Sequence, residues 1–519
     1  MYGNLNTHKM SENKLFTLLD SVTPQNFEQA MDQAIALELA TVPTYLSTYY
    51  SINRAQDQDV LYQKIYQQLN SSLKNSEIAI ATLAEELKKD ILVYANQSAA
   101  LIMSVVVEEM LHLALASNVR QAIVGPPQLV KIAASSGFKF PTFLDGHEPE
   151  FWINLDTLNL KQLGIFLQIE SPKAYTDPAD FPESDPKPIK YQTIGELYNM
   201  IIQCVEANYP GPYTTRPQLL PPQTGKPQRP YYSQNSVNTV YYDRDHNPKF
   251  GSEDDSGILV NVYDAPSAVK AMEEIRHQGE GNDQLDQDIL QFDLNNNPIP
   301  LPVVDGKVQF KPGDYDDPTG EELSHFAKFM ELYSLGVYYQ EKFKGIDGLD
   351  DFFSYFVANQ KKNPKQAIYD AGTSDNDQEI ALMNKLGNAI YTYIILMVET
   401  CYYKDESTQF QVFMYGIHKS MIWLLSDIGN AMRSYTFNPT VEAESFTPSL
   451  SFEFYDFSIL GDIRPKEQII NLAKALAESN GNSSMSNWSW LYSDEAYLPS
   501  LPDVGLDHSV TPNVPSIPA

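Results

Sequence analysis

The sequence predicts a mainly α protein: a four-helix bundle with long loop-rich insertions, additional helices and a small β-containing C-terminal extension. Three observations predict it. Two regions, about 26–124 and 320–435, carry apolar residues at helical steps of three and four. Three of those apolar stripes hold Glu or His at positions that face a core. The region between them, 125–320, is rich in Pro, Tyr, Asn and Asp, which suits loops and short helices. The division expected is a helical unit over 1–437, with its insertion at about 125–320, and an extension over 438–519 ending in a Pro-rich tail.

The first stripe runs through Met31, Ile35, Glu38, Val42, Tyr45 and Tyr49, an unbroken helical seam with a carboxylate inside it. Pro43 lies in the same stretch. It cannot donate to the carbonyl of Leu39, so a local kink is expected. The second stripe reads Ile102, Val105, Glu109, His112, Ala116, Val119 and Ile123, with Glu and His three apart in the seam. Glu108 falls off that seam, at the surface or supporting a neighbour from behind. In "EELSHFAKFMELYSLGVYY", from 321, the stripe is Glu322, His325, Phe329, Leu332 and Leu335, again with Glu and His three apart.

The third bundle helix has several candidate carboxylates. Glu170 continues the seam Leu160, Leu163, Leu167. Glu280 flanks the seam Ala268, Met272, Ile275, Gly279, and its helix directly precedes the one from 321. Periodicity does not choose between them. Glu196 lies opposite the apolar face of its helix and completes a capping box with Thr193, which explains it without a ligand role. Elsewhere, "VVDGKVQF" (303–310) reads as a hairpin on an Asp-Gly turn, and 209–232 is too Pro-rich for regular structure. The alternation in "PSLSFEFYDF" (448–457) predicts a strand, followed by a helix at about 465–478 and an extended tail from Pro499.

A lone buried carboxylate costs several kcal/mol unless it is paired, protonated or bound to metal. One seam Glu followed by two seam Glu-x-x-His pairs is the ligand pattern of a carboxylate-bridged dinuclear centre in a helical bundle. The expected ligands are Glu38, Glu109, His112, Glu322 and His325, with Glu170 or Glu280 from the third helix. Carboxylate and imidazole donors suit two iron ions, with manganese as the alternative.

Composition narrows the partners. The formal charge of −31, from 36 basic and 67 acidic residues, opposes binding to nucleic acid or to anionic membranes. The only long apolar run expected, Ala389 to Val398, is too short to span a bilayer at about 20 residues. The N-terminal residues carry no secretory signal pattern, and two cysteines give no disulfide framework, so a cytoplasmic location is expected.

The blocks "ALELATVPTYL", "EEMLHLALASNVRQAIVGPP", "FLQIESP", "TIGELY", "SAVKAMEEIRHQGEG" and "ELSHFAKFMEL" occur in that order. Together they resemble the ferritin-like family named for the iminophenyl-pyruvate dimer synthases of violacein and indolocarbazole biosynthesis. The likeness covers about 25–345 and runs more loosely to about 437; those enzymes are much longer and carry a large additional region. The resemblance implies a metal-binding bundle, matches Glu38, Glu109, His112 and His325, sets Glu322 in the expected pair and makes Glu280 part of a recognisable "QGEG" element. It also implies dioxygen and a small metabolite, aromatic and amino-acid-derived, as substrates of an oxidoreductase. A ferroxidase or a non-catalytic structural protein are the competing readings, and self-association is left open.

Overall fold

The computed structural model describes residues 21–54, 56–74, 77–137, 139–144, 146–147, 152–172, 189–219, 241–242, 248–249, 259–280, 293, 298–309, 324–349, 351–417, 419–439, 444–479 and 488–511. Chain order begins with α1 (Phe27–Ser51), α2 (Gln58–Ser72) and α3 (Glu77–Ile123). Every residue of α1 from Leu37 to Ser51 is buried, as is every residue of α3 from Ser98 to Ala122. Helices covered on all sides form the middle of a bundle rather than its rim. α3 has 47 residues, so it is about 70 Å long. It packs against both α1 and α2.

The insertion contributes α4 (Leu129–Ile132), α5 (Leu160–Ile169), α6 (Ile194–Asn208) and α7 (Ala265–Glu280). Next comes α8 (His325–Lys344). The bundle core is made by α1, α3, α7 and α8; α5 lies against α8, and α6 bridges α1 and α7. Buried Arg120 pins the far ends of α1 and α3 together. It donates to Asp32 and Glu28 of α1 and to the carbonyls of Gly125 and Pro126 in the loop that follows α3.

α1 runs as one helix on both sides of Pro43. The Thr44 hydroxyl back-bonds to the carbonyl of Ala40 next to the lost hydrogen bond, and the turn is buried on all sides. α8 starts at His325 rather than near 321, because extended Ser324 caps it, its Oγ accepting from the Ala327 amide at 3.2 Å. Residues 448–456 form no strand. The alternation is real, but the backbone partners come from a helix. Along α10 (Asp375–Cys401), which follows α9 (Gln366–Asp370), residues Asn384, Asn388 and Thr392 accept from the amides of Ser451, Glu453 and Tyr455. Four helical residues rise about 6 Å and two extended residues about 6.7 Å, so the two repeats stay in step.

Other expectations hold. Val303–Val304 pairs with Lys307–Val308 across Asp305 and Gly306, both at positive φ as the Asp-Gly turn requires. After α11 (Glu406–Val412) and α12 (Leu425–Met432), the helix expected near 465–478 is α13 (Pro465–Glu478), packed on α10 and followed by α14 (Trp490–Ser493). The tail is more structured than expected: Leu498–Ser500 is a 3-10 turn, and Asp503–Val504 pairs with Val510–Thr511. Both cysteines are free and buried. The run 389–398 is not the sole long apolar stretch, since α3 also meets the length and composition of a membrane span; the most apolar windows of α3 and α10 are 100% and 83% buried inside the fold.

Candidate metal centre

Five of the predicted side chains converge in the bundle core: Glu38 from α1, Glu109 and His112 from α3, Glu170 at the end of α5 and His325 at the start of α8, all at most 2% exposed. The side chain of Glu280, the last residue of α7, and the whole of Glu322 lie outside the described residues. Of the two third-helix candidates, Glu170 is therefore the one whose carboxylate is seen in the cluster. Gly279 makes room for it, because a Cβ there would lie 3.3 Å from Glu170 Oε2. Glu196 is committed to its helix end, accepting from the Gln192 amide while Thr193 caps the helix. The expected box thus forms with the amide one residue earlier.

The three central carboxylates share one arrangement. Each has one oxygen held by a hydroxyl and the other turned towards an imidazole Nδ1. Glu38 Oε1 accepts from Tyr198 at 2.5 Å, and its Oε2 is 3.8 Å from His112 Nδ1. Glu170 Oε1 accepts from Tyr45 at 2.5 Å, and its Oε2 is 3.7 Å from His325 Nδ1. Glu109 stands between them. Its Oε2 accepts from Thr41 at 2.6 Å, while Oε1 lies 3.0 Å from His325 Nδ1 and 3.8 Å from His112 Nδ1. The imidazole rings face each other with centroids 5.0 Å apart.

Behind the histidines the partners differ. His112 Nε2 meets Gln278 Oε1 at 3.0 Å. His325 Nε2 is 2.8 Å from Glu108 Oε2, and Lys328 Nζ donates to both oxygens of Glu108 at 2.9 and 2.8 Å. Glu108 is therefore a buried support for His325, not a surface residue. Sequence reading missed Thr41, Tyr198, Gln278 and Lys328. The one signal available was Lys328 itself, three residues after His325 among apolar neighbours.

The electrostatics follow from burial. Burial first, and the charge of Glu109 second, hold the Glu38 carboxyl well above the usual carboxylate range, against the Tyr198 hydrogen bond. Burial pushes His112 down to about 4, although Glu109 pulls the other way. Burial also opposes protonation of His325, but Glu108, Glu109 and Glu170 outweigh it and hold that imidazole well above its ordinary value. Neighbouring rings thus prefer opposite states because three carboxylates surround one of them.

Donor atoms of Glu109, His112 and His325 all lie within 4.8 Å of one another. Neither His325 nitrogen has hydrogen-bond geometry to a partner, despite the close carboxylates. An orphaned buried ring nitrogen facing two carboxylate oxygens fits a metal ligand, and the mixed oxygen and imidazole set fits iron or manganese. Lys328, the buried cation beside the cluster, is engaged by Glu108, so three further carboxylates crowd the core with a charge that divalent cations would offset.

No curated protein matches the chain with significance. Among solved structures, a ferritin-like protein from Caulobacter vibrioides is similar at 15% identity and a TM-score of 0.34, over 78% of this chain and 97% of that one. A family model described as ferritin-like matches residues 31–334, which carry all five converging side chains. With more than half of its length matched, this protein belongs to the ferritin-like family.

Proposed function

We propose that this protein is a dinuclear metal enzyme, an oxidoreductase that uses dioxygen on a small metabolite in a biosynthetic pathway. The observation that carries the reading is the paired arrangement at the centre: Glu38 with His112, Glu170 with His325, and Glu109 facing both imidazoles. Two reduced irons, when bound, supply the electrons that dioxygen needs. The chain's own residues do the rest. Tyr198, Thr41 and Tyr45 hold one oxygen of each carboxylate, so the other is presented in a fixed direction. Tyr45, Phe166 and Phe329 form an aromatic wall beside Glu170, with ring centroids 4.7–5.1 Å apart, which keeps water from that side. Support for an aromatic, amino-acid-derived substrate comes from the sequence blocks shared with the iminophenyl-pyruvate dimer synthases. Support for iron comes from the donor set and the family. Elemental analysis after iron-replete expression tests the reading, with about two ions per chain expected. Less than about a tenth of an ion per folded chain would falsify it.

A further inference from the structure

We propose that the two metal positions are unequal and fill in order, the one between Glu170 and His325 first, because Glu108 and Lys328 stand behind His325 while, among the described residues, the Gln278 amide stands behind His112. The inference rests on the dinuclear reading above and adds a ranking to it. Both imidazoles turn Nδ1 to the central carboxylates. In front, each position has one Glu tied by a tyrosine, and both face Glu109, whose Oε1 is 3.0 Å from His325 Nδ1 and 3.8 Å from His112 Nδ1. The larger difference lies behind the rings. His112 Nε2 faces the neutral Gln278 amide at 3.0 Å, whereas His325 Nε2 faces a carboxylate at 2.8 Å. The pair is not aligned as a hydrogen bond, but the negative charge of a carboxylate on that side pushes electron density through the ring more strongly than an amide oxygen does. The near nitrogen then becomes the better electron-pair donor, an effect worth about 10–100-fold in metal affinity. Lys328 moderates this. Its two hydrogen bonds fix the Glu108 carboxylate in place behind the ring.

Cobalt(II) titration of the metal-free protein, followed by absorption and calorimetry, tests the ranking. Two classes of site are expected, about tenfold or more apart. His325→Ala should remove the tighter class and His112→Ala the weaker. Glu108→Gln should weaken the tighter class about tenfold and leave the other unchanged. Because that variant leaves Lys328 unpaired and can disturb folding, Gln278→Glu provides a second arm, expected to tighten the weaker class by a similar factor. Helicity of each variant is checked by circular dichroism. Two equal sites in the parent, or a Glu108→Gln change shared by both classes, overturns the ranking while leaving a dinuclear centre in place. Failure of the parent to bind cobalt overturns the dinuclear reading, and the ranking with it.

Discussion

At the scale of single residues, the hydroxyls of Thr41, Tyr45 and Tyr198 decide what the carboxylates can do. A hydrogen bond to a charged acceptor contributes about 1.5–3 kcal/mol. Removing one frees the carboxylate to rotate more than it loosens the fold. Tyr198→Phe is therefore expected to lower metal affinity about tenfold, by isothermal titration, with helicity unchanged. Direct ligands should matter more: in elemental analysis Glu109→Ala is expected to abolish most metal uptake and His325→Ala to lose at least one of the two ions, while circular dichroism stays near the parent. Parent-like metal content in both variants would show that the ligands lie elsewhere. Gly279 acts at the same scale. Its missing Cβ lets Glu170 approach, and Gly279→Ala should reduce metal content through a contact of 3.3 Å.

At the scale of elements, α10 organises the C-terminal half. Its row of Asn384, Asn388 and Thr392 replaces a neighbouring strand for residues 451–455. Asn388→Ala leaves the Glu453 amide without its acceptor and removes one of the amide donors to the Ser451 hydroxyl, so a loss of about 1–3 kcal/mol is expected. Faster hydrogen exchange confined to 451–455 is the local signature. The other end of α10 carries Glu399, which accepts from the Val130 amide at 2.8 Å and lies 3.2 Å from His508 Nε2. Burial raises this carboxyl from 4.5 to about 7, against the Val130 and Leu129 hydrogen bonds. The folded state therefore holds the proton more tightly than the unfolded state. The stabilisation is full below about 4.5 and is lost as pH rises to about 7, at no more than about 1.4 kcal/mol per pH unit. Glu399→Gln keeps the acceptor for Val130 and removes the ionisation. Its melting temperature relative to the parent should rise between pH 5 and about 7.5; a pH-independent difference would count against this role.

At the scale of the whole molecule, a core that holds Glu38, Glu108, Glu109 and Glu170 together is costly without cations. A ligand that binds only the folded state stabilises it by mass action. Chelation is therefore expected to lower the melting temperature, and returning iron or manganese to restore it, with little change in helicity. An unchanged melting temperature would mean that metal and core are not coupled.

The stripes at 31–49 and 102–123 were legible because a helix repeats its inward face every three to four residues, and a Glu or His on that face stands out against apolar neighbours. With the stripe from 322 to 335, that was enough for the helical bundle and for four of the five converging side chains; the fifth, Glu170, was one of two alternatives. Periodicity places a residue on a face but says nothing about which other helix that face meets. Only the packing of α5 against α8 brought Glu170 to His325, and only the depth of α3 turned Glu108 into the partner of Lys328. The same limit explains residues 448–456. Alternation records an extended backbone with one buried side, and the tertiary structure decided that its hydrogen-bond partners are side chains of a helix rather than another strand.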